Sequence, residues 1–373
     1  MQPQRIIVKL GSSTLTGGTP HLNRQRMLEI VQQIAHLHQA GYEIIVVSSG
    51  SQAAGRERLN FPDLSRSMPA KQMLAAIGQS RLMRIYSDLF DIFEIIVAQI
   101  LLTRDDLSHR ARYLNARDTM QTLIDRRIVP IINENDTVAT DEIRVGDNDN
   151  LSAMVASAIE GDLLIMLTDQ PGLFTADPRK FADAQKIDVI NEINHETFDL
   201  AGGAGSREGT GGMITKLQAA QLAARSGVTT IIAQGSEPNV LGRIIIGGEN
   251  LGTRFEATGT HLESRKRWLL TDRTQGAVHI DAGAVRALLA KDGASLLPVG
   301  ITAVDGEFER SATLAIYDHR GAMIAHGLSN YTSDELNRIK RQNSAKISDI
   351  LGYSYGDAAI HRNNLVMMVK NGE

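Results

Sequence analysis

The sequence predicts an α/β protein: a three-layer αβα sandwich with a mainly parallel central sheet, followed by a small, mostly β C-terminal domain. Three observations carry that expectation. Short apolar runs recur along residues 1–258, bounded by turn residues and separated by segments with helical apolar spacing. The first of these runs, RIIVKL, is apolar on both faces, as a strand covered by helices on each side is. Beyond Thr258 the pattern changes to short β-like runs separated by glycines.

RIIVKL spans Arg5 to Leu10 and stops at GSSTLTGG, with Lys9 at the mouth of the strand. Asn23 then reads as the N-cap of a helix that puts Met27, Ile30, Val31, Ile34 and Leu37 on one face, with Gly41 at the C′ position. A second strand at 43–47 runs into SSGSQAAG, which begins at Ser48. The spacing continues with a helix around 71–90, a strand at 95–101, a helix near 115–127 and a strand at 129–132. A strand at 163–167 ends at Thr168 and Asp169; a glycine-rich segment at 202–212 then opens a helix at 213–226, and a strand follows at 229–232. Strands alternating with helices imply parallel pairing through right-handed crossovers. Residues 259–275, with Arg265, Lys266 and Arg267 together, read as a linker, and 276–373 as the small domain, with β-like runs at 277–280, 295–297, 313–317 and 323–327.

Composition narrows the functional classes. A chain of 373 residues exceeds the size at which a single core stops growing, so two domains are expected. The formal net charge is -4, and the last domain carries 10 Lys+Arg against 11 Asp+Glu, so neither has the basic footprint of a nucleic-acid or acidic-membrane binder. RNA binding by that domain is therefore not expected. No apolar run approaches the ~20 residues that span a bilayer, and Lys9 interrupts the first apolar run, so no membrane segment or signal peptide is expected. The absence of cysteine excludes disulfides, zinc thiolates and thiol nucleophiles, and makes the cytoplasm the default location.

The polar stretch GDNDNLSA, from Gly146 to Ala153, presents Asp147, Asn148, Asp149 and Asn150 ahead of an apolar helical pattern. One of the four can cap the helix; the others need another partner. Ile131 and Ile132 precede Asn133, Glu134, Asn135 and Asp136, an apolar strand ending in polar residues where open α/β sheets bind ligands. Two loops thus converge on one small polar molecule. The glycine-rich runs GSSTLTGG, starting at Gly11, and GTGGMITK, comprising Gly209, Thr210, Gly211, Gly212, Met213, Ile214, Thr215 and Lys216, could cradle phosphate through backbone N–H groups. Neither is a Walker loop, because Thr16 and Ile214 stand where its second glycine is required, and GxGxxG is absent from both. Lys9 and Lys216 supply two cations, with Asp169 and Asp149 able to place them or Mg²⁺. Together these groups predict phosphoryl transfer. A carboxylate acceptor is ionised at neutral pH, so no general base is needed, and catalysis reduces to positioning and charge stabilisation.

VKLGSSTLTGG, VVSSGSQAAGR, LNARDT, PIINENDTVAT, VGDNDNLSA, LLTDQPGLFTADPR and GTGGMITKLQAA together resemble the glutamate 5-kinases, and the C-terminal segments ASLLPVGITAVDGEFERSATLAI and IAHGLSNYTSDEL are similar to a PUA domain. The resemblance implies ATP- and Mg²⁺-dependent phosphorylation of the γ-carboxylate of L-glutamate to L-glutamyl 5-phosphate, the first step of proline biosynthesis, with feedback inhibition by proline. Carried onto matching positions, it implies that Lys9, Gly11, Thr168, Asp169 and residues 210–216 serve ATP. Ser49, Gly50, Asp136, Asp147 and Asn148 would hold glutamate, Ser49 by its N–H or its hydroxyl. Two departures stand out: Ser51 where alanine is usual and Phe174 where tyrosine is common. The long apolar helical segment at 73–90 makes a homo-oligomer, a dimer or tetramer, an expectation as well.

Overall fold

Alternation along the first strand organises the larger part of the molecule. In β1 (Arg5–Leu10) the side chains of Ile6, Val8 and Leu10 enter one apolar layer and Ile7 enters the other. Lys9 follows Ile7 by two residues and so faces the second layer. The computed structural model describes residues 4–64, 67–139, 148–176, 178, 180–181, 183–201, 212–260, 274–290 and 294–368. The chain divides into two compact units, Met1–His261 and Leu262–Glu373.

In the first unit β1 is followed by α1 (Ser12–Thr16), α2 (Arg24–Gln39), β2 (Glu43–Ser48), α3 (Ser51–Arg58), α4 (Met68–Asp91), β3 (Val97–Leu102), α5 (Arg104–Ser108), α6 (Arg110–Asp125) and β4 (Val129–Glu134). After these come α7 (Asn148–Ala158), β5 (Leu163–Thr168), β6 (Val189–Ile190), α8 (His195–Leu200), α9 (Met213–Arg225), β7 (Thr229–Gln234), α10 (Val240–Ile245) and β8 (Gly252–Phe255). The strands form one sheet in the order β3-β4-β2-β1-β5-β7-β8-β6. All its neighbours pair in parallel except β7 and β8. One core layer packs α2, α4 and α10 on the sheet, and the other packs α6, α7 and α9. This is the expected αβα sandwich. Chain order reverses around β1, whose neighbours are β2 and β5, so the crevice beyond the carboxyl ends of these strands is the switch point where open α/β sheets bind ligands.

Asn23 caps α2 by accepting from the Arg26 N–H, and Gly41 follows the helix with φ +100°, both as expected. Elsewhere local chemistry moved the boundaries. β3 starts at Val97 rather than at 95 because the chain is still closing α4 there: Ile95 N–H donates to Phe90 O, and Glu94 has φ +56°. Helix α6 begins at Arg110, five residues before the expected start, because its first turn is polar and carries no apolar spacing. GSSTLTGG is more than a loop: Leu15 enters the core and draws residues 12–16 into a helical turn, ended by Gly17 at φ +61°.

Helices α3 and α4 touch backbone to backbone. A Cβ on Gly78 would lie 1.7 Å from Ser51 O and 2.5 Å from Gly55 N, and one on Gly55 would lie 2.0 Å from Leu74 O. Glu57 locks the pair further by accepting from Leu22 N–H at 3.1 Å and from Arg81 at 2.7 Å. No side chain can yield at Gly78, since the obstacle is main chain. Gly78→Ala should therefore cost about 3 kcal/mol, at the upper end of overpacking. A urea midpoint unchanged from the parent protein would contradict that contact.

The second unit contains β9 (Gly276–Ile280), α11 (Ala282–Leu289), β10 (Ile301–Asp305), β11 (Thr313–Tyr317), β12 (Met323–Leu328), α12 (Ser333–Ile339), α13 (Ile347–Leu351) and β13 (Leu365–Met367). Its sheet has the order β10-β9-β11-β12-β13, and only β9 and β11 pair in parallel. The β-like run expected at 295–297 forms no strand. Leu296 makes a single bridge to Ile360, and Pro298, which lacks an N–H to donate, opens a 3₁₀ turn instead.

Candidate active site

Lys9, the buried cation of β1, meets a partner from the helix layer it faces. Its Nζ lies 2.5 Å from Asp149 Oδ1 in the first turn of α7, and Lys216 Nζ from the first turn of α9 lies 3.1 Å from Asp149 Oδ2. The Thr215 hydroxyl is 2.8 Å from the same Oδ2. Lys9, Asp149 and Lys216 expose 3, 0 and 7% of their surface, so this is a buried triad and not a surface ion pair. Burial opposes ionisation of Asp149, but the Lys9 and Lys216 ammoniums outweigh it and hold the carboxyl down to about 2. One carboxylate therefore keeps two positive charges side by side in the protein interior.

Asn148 stands beside this triad and is also buried. Its Nδ2 donates to Ser49 Oγ and to Asn133 Oδ1, both at 2.9 Å, while its Oδ1 is buried with no hydrogen-bond partner among the described residues. Ser49 N–H donates to Leu10 O at 3.0 Å, so only the Ser49 hydroxyl, whose proton the Asn148 contact leaves free, can donate to a ligand. Of the two donors expected at Ser49, the N–H is thus engaged and the hydroxyl is left. Gly50, at φ +104°, turns the chain from β2 into α3, and the Ser51 hydroxyl at the start of α3 donates to Asp136 Oδ2 at 3.0 Å. Burial pushes the Asp136 carboxyl above its ordinary value, partly offset by hydrogen bonds from Ser51 and Gln52.

The expected residues thus fall into three sets. Lys9, Lys216 and Asp149 form the triad, joined by the Thr215 hydroxyl, while Ser49, Gly50, Asp136 and Asn148 gather around the ends of β2 and β4. Gly11 and Thr168 end β1 and β5; a Cβ on Gly11 would lie 3.6 Å from Lys9 Nζ, and Thr168 Oγ1 donates to Asp169 Oδ1 at 3.0 Å. Asp169 itself is exposed, and among the described residues the lysines pair with Asp149 rather than with it, because Asp169 lies past the strand end on the solvent side. Met213 packs on the apolar layer and Ile214 is half-buried, while Gly212 is exposed. Asp147, Thr210 and Gly211 lie outside the described residues. No sequence signal pointed to Gln79, whose Oε1 accepts from Asn133 Nδ2 at 2.8 Å; it sits within the helical pattern of α4 with nothing to set it apart.

Residues 4–234 match the model of the amino acid kinase family, and residues 276–351 match that of the PUA domain. A glutamate 5-kinase of Herpetosiphon aurantiacus is 53% identical over 97% of this chain and 98% of its own. That of Sodalis glossinidius is 51% identical over 98% of this chain and 99% of its own, and that of Salmonella newport 50% over 97 and 98%. Among solved structures, UMP kinase from Bacillus anthracis gives a TM-score of 0.49 at 16% identity over 69% of this chain and 98% of that one, too remote to bear on the acceptor. The chain belongs to the amino acid kinase family and, within it, to the glutamate 5-kinases, as a kinase with a PUA domain.

Proposed function

We propose that the first unit transfers the γ-phosphoryl group of ATP to the γ-carboxylate of L-glutamate, giving L-glutamyl 5-phosphate, the first step of proline biosynthesis. One observation carries the proposal: Asp149 holds the Lys9 and Lys216 ammoniums on its two oxygens inside the pocket. A carboxylate oxygen of glutamate attacks phosphorus, and the bond to the leaving ADP oxygen breaks with its electron pair. Lys9 and Lys216 stabilise the charge on the transferring group, and Asp149 keeps them in position between turnovers. The N-terminal turn of α9, with Gly212, Met213, Ile214 and Thr215, faces the nucleotide, as do Gly11, Thr168 and Asp169; we add Thr210 and Gly211 from the same segment.

Glutamate is held by groups matched to its charges. Asn148 Oδ1 and the Asp136 carboxylate accept from its ammonium, joined by Asp147, and the Ser49 hydroxyl donates to a carboxylate. Both Asp149 oxygens face lysines, which suits Mg²⁺ carried on the nucleotide phosphates, and we assign Asp169 to the same role. Bound there, the ion would neutralise phosphate charge. Asn148→Ala should raise the KM for glutamate about tenfold with little change in kcat, because the lost contact is made equally in ground and transition states. A normal KM would remove Asn148 from the acceptor site.

Purified protein with ATP, Mg²⁺ and glutamate should form an acyl phosphate that hydroxylamine converts to a hydroxamate; a folded sample that forms none refutes the reaction. Aspartate, N-acetylglutamate, carbamate and UMP in parallel test the acceptor, and UMP is disfavoured because acidic groups at the pocket repel its phosphate. Feedback inhibition by proline, a homo-oligomer and a cytoplasmic setting belong to the same proposal. Self-association is supported by Ile92 and Ile96, 62 and 66% exposed just before the edge strand β3. The second unit is structural or regulatory, since its balance of charge lacks what phosphate contacts require.

A further inference from the structure

We propose that Gln79 is a positioning residue for the amino-acid site, acting through Asn133 to fix which end of the Asn148 amide faces the acceptor. The inference rests on the proposal above that Asn148 binds that acceptor. Its anchor is a backbone group. Glu134 N–H donates to Asn133 Oδ1 at 2.9 Å, and a backbone N–H cannot accept, so the orientation of the Asn133 amide is settled by chemistry. The same Oδ1 receives Asn148 Nδ2 at 2.9 Å, and Asn133 Nδ2 points the other way, to Gln79 Oε1 at 2.8 Å. Asn133 is itself buried, so each of these bonds matters.

The consequence appears at the far end of the relay. Asn148 Nδ2 donates to Asn133 Oδ1 and Ser49 Oγ and lies 3.3 Å from the Ser48 carbonyl oxygen, so among the described residues its Oδ1 is the atom left over, buried and able only to accept. A donor satisfies it, and the ammonium of the proposed acceptor is one. Gln79 supports that arrangement because it offers Asn133 an acceptor. A donor in its place would face Asn133 Nδ2, turn that amide, break the Glu134 bond and set two N–H groups against each other at Asn148. The repulsion at Asn133 then opposes the weaker contact to the Ser48 carbonyl, and an Asn148 amide that turns presents donors to an ammonium.

The test is a polarity series at one position, read as the KM for glutamate at saturating ATP. Gln79→Glu keeps the acceptor and should stay within about twofold of the parent, while Gln79→Met, which loses it, should raise KM about fivefold. Gln79→Lys, a donor only, should raise KM about 30-fold or more, with kcat and the KM for ATP nearly unchanged. The double variant Gln79→Lys with Asn133→Asp should recover most of the loss. The carboxylate introduced at position 133 accepts from the new ammonium at position 79, from Glu134 N–H and from Asn148 alike. A purely structural role for Gln79 would follow side-chain size, not hydrogen-bond polarity, and would show no such recovery. Equal KM values across the series, or a double variant no better than Gln79→Lys, overturns the relay. If instead Asn148→Ala leaves the KM for glutamate unchanged, the acceptor site is misassigned and the relay falls with it. A rise in that variant beside a flat Gln79 series overturns the relay alone.

Discussion

Asp149→Asn should destabilise the protein by about 3–5 kcal/mol and remove nearly all activity, because it leaves two buried ammoniums facing a neutral amide. In the parent protein the attraction of Lys9 and Lys216 outweighs the cost of burying Asp149, and the carboxyl is held down to about 2. Because its folded value lies below the ordinary 3.8, the contribution of Asp149 to stability is complete above about pH 4 and is lost as the pH falls toward 2. The variant should therefore unfold at lower urea at pH 7 and lose less stability than the parent between pH 4 and pH 2. Equal urea midpoints at pH 7 would show that the carboxylate does not hold the lysines together. A second cause of lost activity is geometric: among the described residues Asp149 alone pairs with both ammoniums.

Lys216→Ala should lower kcat by roughly 10²–10³, with KM values for ATP and glutamate changed by about threefold or less. Only contacts stronger in the transition state than in the ground state speed the chemical step, and the charge that Lys216 meets grows as the phosphoryl group departs. The fold should survive better than in Asp149→Asn, because Asp149 keeps Lys9 at 2.5 Å. Steady-state kinetics separates the two effects. A raised KM with normal kcat would make Lys216 a binding residue.

Much of the architecture was legible because apolar spacing reports burial directly. Ile6, Val8 and Leu10 alternate with Ile7 and Lys9, which announces a strand buried on both faces, whereas the meeting of Lys9 with α7 shows only in the packing. The cations and the polar turn were legible as chemistry that a core does not need. Their pairing was less so: Asp149 and Asp169 both stood ahead of or behind apolar runs, and only the packing of α7 onto β1 shows which carboxylate the lysines share. Ser49 carried two possible donors in sequence, and the Leu10 carbonyl, a neighbour only once β1 and β2 pair, took one of them. Gln79 was invisible for the same reason. A half-buried glutamine in a long helix acquires meaning from the strand it packs against, 54 residues away.

In the proposed reaction a carboxylate oxygen of glutamate attacks phosphorus. The most direct measurement uses L-glutamate labelled with ¹⁸O in its γ-carboxylate, with ATP and hydroxylamine. Attack by the carboxylate leaves one labelled oxygen bridging carbon and phosphorus, and hydroxylamine then releases it with the phosphate. Each inorganic phosphate formed should carry one ¹⁸O; phosphate free of label, formed at the same rate, would mean that water takes the phosphoryl group, and the account would be wrong.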